Sequence, residues 1–336
     1  MMEEEEPIEI TELAEEELTE SGEQQPIEVA EVDLTLGENE PTEMTEQEIL
    51  EMALDKTIVW KGYLACIGED SCIVQSPWFL GEDCVFGADS DHTTLAIAAI
   101  QLLQSEGTQI ESINSLNDVE ASIILMATGV EVMQTTTDDS TELNAEWDLC
   151  IGDDAVVLVC KTDCDMDILE PTGGLDVDEQ FHQEMTSAWE KECQPEHVSQ
   201  GAYVSRQQYE EGAAARLSLM SQEVDGELIW PPRQMDEKGN LMPQASIPLQ
   251  GVATIESWTK LAAAGAPSEF SIRAPLLGGI STVFVRFEQG PRGVFLLVDD
   301  EDDNPKIGDK VQFAIRRIYA QEGYIRYGLK CQIIRD

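Results

Sequence analysis

Eight cysteines and three histidines are the residues of this chain best suited to nucleophilic, acid–base or metal chemistry. Cys66, Cys72, Cys84, Cys150, Cys160 and Cys164 supply the thiols of the middle region, and His92, His182 and His197 are the available bases. Acyl transfer through a thiolate requires a depressed thiol pKa, from a paired imidazole, a helix N-terminus or nearby positive charge. Lys61 and Lys161 are the only cations between residues 57 and 190, against 27 carboxylates. That surplus raises thiol pKa values, and no histidine lies in a recognisable catalytic motif. The expectation is a chain with no catalytic residue.

Metal chemistry fares no better. Cys160-Lys161-Thr162-Asp163-Cys164, with Asp165 and Asp167 beyond it, is a single thiol pair, whereas structural zinc takes four converging ligands. The segment reads as a strand end in which Cys160 packs as a small hydrophobe. Asp299-Asp300-Glu301-Asp302-Asp303 lacks the interleaved glycine and distal glutamate of an EF-hand loop, so a solvated hairpin loop is expected. Positive charge gathers instead in Arg286, Arg292, Arg316, Arg317, Arg326 and Lys330. These six suit the phosphates of coenzyme A or an acyl-CoA, with the pantetheine lying on apolar surface. They also suit a single-stranded nucleic acid, for which Phe284, Tyr319, Tyr324 and Tyr327 are candidate stacking platforms. A third reading is that they pair with Glu288, Glu322 and the 299–303 loop.

The elements that must carry these cations are legible. Five runs, Gly251–Thr259, Ser281–Glu288, Gly293–Asp299, Lys310–Ala320 and Tyr324–Ile334, are rich in Val, Ile, Phe, Tyr or Thr. Turn signals separate them at Gly278-Gly279, Gly290-Pro291, Asn304-Pro305 and Gly323, as antiparallel strands require. Val283, Val285 and Phe287 share one face, as do Val311, Phe313 and Ile315. Five short antiparallel strands in one block predict a small closed barrel of the OB type. Ahead of them lie a helical run around Trp189, hairpin turns at Asp225-Gly226 and Lys238-Gly239-Asn240, and Pro231-Pro232-Arg233.

In the middle region, Thr57–Ile67, Ile123–Val130 and Ala155–Cys160 are apolar runs suited to buried strands of an α/β sheet. Thr93–Glu106 carries Leu95, Ala98, Ala99, Leu102 and Leu103 on one helical face. Asp91 or Thr93 can cap that helix and Gly107 end it.

The order helix with Trp189, Pro231-Pro232-Arg233, Gly251-Val252, Ser257-Trp258-Thr259, Arg286-Phe287-Glu288-Gln289-Gly290-Pro291-Arg292-Gly293, Ile307-Gly308-Asp309-Lys310-Val311 and Glu322-Gly323-Tyr324-Ile325-Arg326-Tyr327-Gly328 resembles the acyl-CoA-associated zinc-ribbon/OB-fold proteins that accompany thiolases. Members usually carry two C-x-x-C pairs flanking the Pro-Pro-Arg. This chain has no cysteine between Cys193 and Cys331, and Arg233-Gln234-Met235-Asp236-Glu237-Lys238-Gly239 stands where the second pair would fall. The ribbon is therefore expected to be free of zinc and to be the least rigid ordered part. The resemblance implies a non-catalytic subunit beside a thiolase. In archaea such proteins bridge thiolase to hydroxymethylglutaryl-CoA synthase and help hold the thioester between two active sites.

The string Asp89-Ser90-Asp91-His92-Thr93-Thr94-Leu95-Ala96-Ile97-Ala98-Ala99 is similar to the first helix of thiolase-superfamily condensing enzymes, hydroxymethylglutaryl-CoA synthase above all. Gly62-Tyr63, Trp78, Gly81-Glu82 and Gly152-Asp153-Asp154 follow a compatible order. The stretch is far shorter than a complete condensing enzyme. The resemblance implies a shrunken thiolase-like segment acting as a docking surface, with a divergent acyltransferase as the rival reading.

Charge divides the chain. Residues 1–56 carry −20, residues 57–190 carry −25 and residues 191–336 carry −4, within a total of −49. The expected class is α+β multidomain. A disordered acidic tail (1–56) holds a short helix near Thr45–Leu54, and either docks or merely solvates. A thiolase-like α/β fragment (57–168), a linker (169–180), a helical hairpin with degenerate ribbon (181–249) and an OB-type barrel (250–336) follow. The near-neutral last block argues against uniform salt adaptation, and the overall charge opposes phosphate contacts, making nucleic acid a poor partner. The absence of an 18-residue apolar run and of a basic leader leads us to expect a cytoplasmic protein with reduced thiols and no membrane partner.

Overall fold

Asn-, Asp- and Gly-containing turns punctuate a chain that folds mostly as strands. The structure is a computed structural model. It describes residues 56–116, 119–134, 145–152, 154–164, 170–194, 196–197, 216–300, 304–321 and 323–335. The tail expected over 1–56, with its short helix, lies outside the described residues except for Lys56.

The first block runs β1 (Ile58–Trp60), β2 (Tyr63–Ile67), β3 (Ser71–Gln75), β4 (Trp78–Leu80), β5 (Asp83–Val85), α1 (His92–Ser105), β6 (Ser112–Ser115), α2 (Ala121–Thr128), β7 (Glu131–Gln134), β8 (Trp147–Ile151), β9 (Val156–Lys161) and β10 (Leu175–Asp176). Seven of these strands form one mixed sheet in the order β1-β2-β3-β9-β8-β6-β7, and β10-β4-β5 form a small second sheet. The Thr57–Ile67 run is a hairpin, not one strand. Lys61 (φ 51°) and Gly62 (φ 86°) both turn left-handed, the backbone of a two-residue reversal. The Ile123–Val130 run is largely helical, a correction to its reading as a strand. A largely apolar run of eight residues does not distinguish the two states; Gly129, left-handed at φ 76°, stops the helix and lets β7 begin.

Asp91 caps α1: its side chain accepts from Thr94 N–H while the Thr94 hydroxyl accepts from Asp91 N–H, a reciprocal cap. The helix is not amphipathic. Leu95, Ile97, Ile100, Leu102 and Leu103 are all at most 2 % exposed, and such all-round burial marks a helix with partners on several sides. α1 packs on β2, β3 and β9, and also on a strand of the second block, β17 (Lys310–Gln321). Burying those five side chains contributes roughly 1.5–3 kcal/mol each.

The second block comprises α3 (Glu179–Glu192), β11 (Met220–Val224), β12 (Glu227–Ile229), β13 (Ile247–Pro248), β14 (Val252–Leu261), β15 (Ile280–Phe287), β16 (Arg292–Leu296), β17 and β18 (Tyr324–Ile333). All five strands expected after residue 250 are present within two residues or so of their ends, except that β16 stops at Leu296. They form one antiparallel sheet in the order β16-β15-β14-β17-β18. Val283, Val285, Phe287 and Val311 are wholly buried and stack with Phe295 and Phe313 inside it. The sheet curls until its two ends meet. Leu297 bridges Cys331 in parallel register, and Val298 N–H donates to Cys331 O at 3.0 Å.

The ribbon segment forms a small sheet, β12-β11-β13. Asp225 (φ 53°) and Gly226 (φ 83°) make its expected hairpin turn. Among the described residues no group of three or more His, Cys, Asp or Glu converges to hold a metal ion. One buried amide ties the segment together. Gln222 accepts from Arg233 N–H at 2.6 Å and donates to Arg233 O at 3.0 Å and Pro243 O at 2.8 Å.

The described residues form one compact unit. Ile315, Tyr327 and Leu217 join the same core as α1 and the seven-stranded sheet, so the two blocks share a core across their expected boundary. No helix among the described residues is long and apolar enough to cross a membrane.

Candidate functional site

The six cations expected to meet phosphate do not share one surface. Arg286 and Arg292 are cross-strand partners on β15 and β16, and both bind Glu256, at 2.8 and 2.7 Å. Arg316 and Lys330 are each 1 % exposed. Lys330 Nζ lies 2.8 Å from Asp89 and 3.0 Å from Asp299, and Arg316 Nε lies 3.3 Å from Asp89. The Arg316 guanidinium also covers the Tyr63 ring at 3.9 Å and donates to Lys61 O at 2.7 Å. Arg317 sits over the Trp189 ring at 4.3 Å, with Asp91 at 3.9 Å. Of the six, Arg292 and Arg326 line one common cavity.

The physical reason is that β17 and β18 turn part of their surface toward the first block. A register shift between Arg317 and Tyr319 breaks the simple alternation along β17. Asp89 is the acceptor at the centre of the seam. Burial works against its charge, but Lys330 and Arg316 together hold its carboxyl below the usual range. Around it Arg273 binds Glu192 at 2.9 Å and Asp299 at 3.0 Å, donates to Ile318 O at 2.7 Å, and stacks on Trp189 at 3.7 Å. Trp189 Nε1–H donates to Ala88 O, and the Tyr327 hydroxyl to Asp91, both at 2.7 Å. The expected solvated loop at 299–303 is corrected at its start: Asp299 and Asp300 are drawn into this seam, and 301–303 lie outside the described residues.

Burial works against ionisation of six of the eight thiols. Burial pushes Cys84 up to about 11, and Cys72 and Cys160 up to about 12. It raises Cys150 and Cys193 as well. Cys84 Sγ donates to the carbonyls of Ser76 and Ala155. Cys160 is buried at the end of β9 as expected, and Asp165 and Asp167 lie outside the described residues. His92 sits against the edge of Phe86 with Nε2 3.1 Å from Asp154 O, and burial lowers the pKa of His182.

The feature with the form of a ligand site is a groove of about 690 Å³ across β15–β18. Trp230 forms its floor, stacked on Phe295 at 4.9 Å between centroids. Gly293 makes that approach possible: a Cβ there would come within 2.6 Å of the Phe295 ring and 2.7 Å of the Trp230 ring. Phe284, Ile318 and Tyr319 supply the walls, with Arg216, Arg292 and Arg326 at the polar positions. An apolar trough with a few cations is the usual form of a cofactor-sized site. Of the residues expected from sequence, Arg292, Arg326, Phe284, Tyr319 and Tyr327 come together here. Tyr324, half exposed on β18, does not line the groove. Trp230, Gly293 and Arg216 were not anticipated. A glycine inside a strand run marks close approach of another group, and that was the signal available, at Gly293.

No protein-family model matches this chain, and no curated protein is significantly similar to it.

Proposed function

We propose that this chain is a non-catalytic binding and assembly component that holds an acyl-CoA for a thiolase or hydroxymethylglutaryl-CoA synthase partner. In this reading β14–β18 are an OB-type barrel, the ribbon has lost its zinc, and residues 57–168 are a thiolase-like docking layer. The protein works in the cytoplasm. The strand order β16-β15-β14-β17-β18, closed by a parallel contact between the end of β16 and β18, supports the barrel assignment.

The observation that carries the reading is the groove. Its aromatic floor and walls would take a pantetheine arm, and Arg292 and Arg326, which line it, are the donors it would offer to phosphates. The thiols with upward-shifted pKa values speak for binding without turnover.

Calorimetric titration with acetyl-CoA and with a thymidine oligonucleotide tests this directly. Acetyl-CoA should bind, and Arg292→Glu should weaken it about tenfold or more, as expected for losing a charge-assisted contact of roughly 1.5–3 kcal/mol. Oligonucleotide binding with no acetyl-CoA binding would replace the proposal with single-stranded nucleic-acid recognition. Unaided condensation of acetyl units would replace it with an acyltransferase. Native pull-down should recover a thiolase or a synthase.

A further inference from the structure

The groove across β15–β18 has a direction. At one end the sheet is shut, where Leu297 bridges Cys331 in parallel register and Val298 N–H donates to Cys331 O. Counting back along β16 and β18 in that register sets Arg292 level with Arg326, and both line the groove. The two strands thus part as they run back from the bridge, with a guanidinium on either side of the open end. Five strand steps separate the ends, roughly 17 Å. Toward the shut end the lining is Leu296 and Leu329. Lys330, the next cation along β18, is turned into the seam toward Asp89 and Asp299 and does not line the groove.

Charge is sorted along the same axis. Among the described residues no carboxylate lines the groove, and its third cation, Arg216, has its carbonyl beside Gly328, two residues from Arg326. At the open end Arg286 is the cross-strand partner of Arg292, and one carboxylate, Glu256, serves both. Glu256 sits where the register of β14 shifts between Ile255 and Ser257. A bulge residue has no partner opposite it, so its side chain can be aimed across neighbouring strands. Two half-exposed guanidiniums that share one carboxylate keep a net positive charge, and each has more N–H donors than Glu256 occupies.

Resting on the acyl-CoA reading above, we propose that the groove fixes the polarity of its ligand and thereby selects the acyl group. The phosphates lie at the open end, among Arg286, Arg292 and Arg326. The thioester end points toward Leu296 and Leu329, where an uncharged acyl group is accepted. A carboxylate on the acyl group would be taken out of water against leucine side chains that offer it no donor, whereas a methylene or methyl there gains about 0.8 kcal/mol by burial. The substrate class is therefore a neutral, short-chain acyl-CoA, with carboxyacyl thioesters turned away.

The test is calorimetric titration of the full-length chain with butyryl-CoA and malonyl-CoA, which have acyl groups of similar length and differ in charge, and with ADP as a phosphate head alone. Butyryl-CoA should bind about tenfold or more tighter than malonyl-CoA, and ADP should compete with both. Arg286→Glu should weaken both thioesters by a similar factor, because it acts on the shared head. Leu296→Arg should cancel or reverse the preference for butyryl-CoA. The comparison within the unaltered protein needs no variant, so it decides the matter even where Leu296→Arg fails to fold. Equal affinity for the two thioesters, a preference for malonyl-CoA, a butyryl preference that survives Leu296→Arg in a folded protein, or indifference to Arg286→Glu overturns the polarity and leaves acyl-CoA binding standing. Failure of either thioester to bind at all overturns both.

Discussion

Replacing Asp89 by asparagine should unmask the energetics of the seam between the two blocks. The substitution preserves shape, and its amide oxygen can still accept from Asp299 N–H, now bonded at 3.0 Å. It removes the charge that neutralises Lys330 at 2.8 Å and Arg316 at 3.3 Å, both buried. Leaving buried charge uncompensated costs about 3–5 kcal/mol, a large fraction of the roughly 5–15 kcal/mol that holds a domain folded. Asp300 moderates the loss, because removing its anionic neighbour lets it ionise more readily and donate its charge to the cluster. The penalty should thus be larger at pH 5.5, where Asp300 is protonated, than at pH 8. Urea unfolding followed by tryptophan fluorescence reads this, with an unchanged m-value as the sign that the folded state is intact. Lys330→Met in the Asp89→Asn background should cost much less than it does alone, giving a coupling of about 2 kcal/mol or more in a double-mutant cycle. A loss below about 1 kcal/mol at both pH values, or additive single mutants, would show that the seam is solvated and that its charges are not mutually dependent.

Two further outcomes follow from single buried groups. The folded-state carboxyl of Asp300 stands at about 7 against an ordinary 3.8, so between those values the folded state binds the extra proton and stability falls as pH rises, levelling off above 7. The integrated effect is on the order of 4 kcal/mol, and Asp300→Asn should flatten the pH profile of unfolding and raise stability at pH 8; an unchanged slope refutes the assignment. Gln222→Leu should strand Arg233 N–H, Arg233 O and Pro243 O together, at about 1–3 kcal/mol for each group left unpaired. Hydrogen exchange should then accelerate between residues 230 and 243 before it changes in β14–β18, and uniform protection would dismiss the amide as the clasp of this segment.

Local patterns account for much of what could be read in advance. The five strands from Val252 onward announce themselves because alternation puts Val283, Val285 and Phe287 on one face, and period-two order survives any context that buries one side. The helix start, with Asp91 or Thr93 as its cap, and the Asp225-Gly226 turn were legible too, since their chemistry is contained within four residues; the structure selects Asp91. Thr57–Ile67 and Ile123–Val130 were misread because a short apolar run lacks a period of its own, and only Lys61-Gly62 and Gly129 decided the outcome. The cations were the hardest. Composition locates them in the last block, but a basic residue on a strand looks the same whether it meets solvent, as Arg286 does, or a buried carboxylate 241 residues earlier, as Lys330 does.

From the chain alone came the strand-rich final block, the helix after Asp91 and the acidic imbalance, all properties carried by neighbours in sequence or by summed charge. Tertiary structure decided that α1 is enclosed on several sides, that Asp89 gathers Arg316 and Lys330, that Asp300 Oδ2 is buried with no hydrogen-bond partner, and that Trp230 lies across Gly293 to floor a groove. Each of those depends on which distant surfaces are pressed together with water excluded, and desolvation of a charge is a property of the packed whole, with no counterpart in any local stretch of residues.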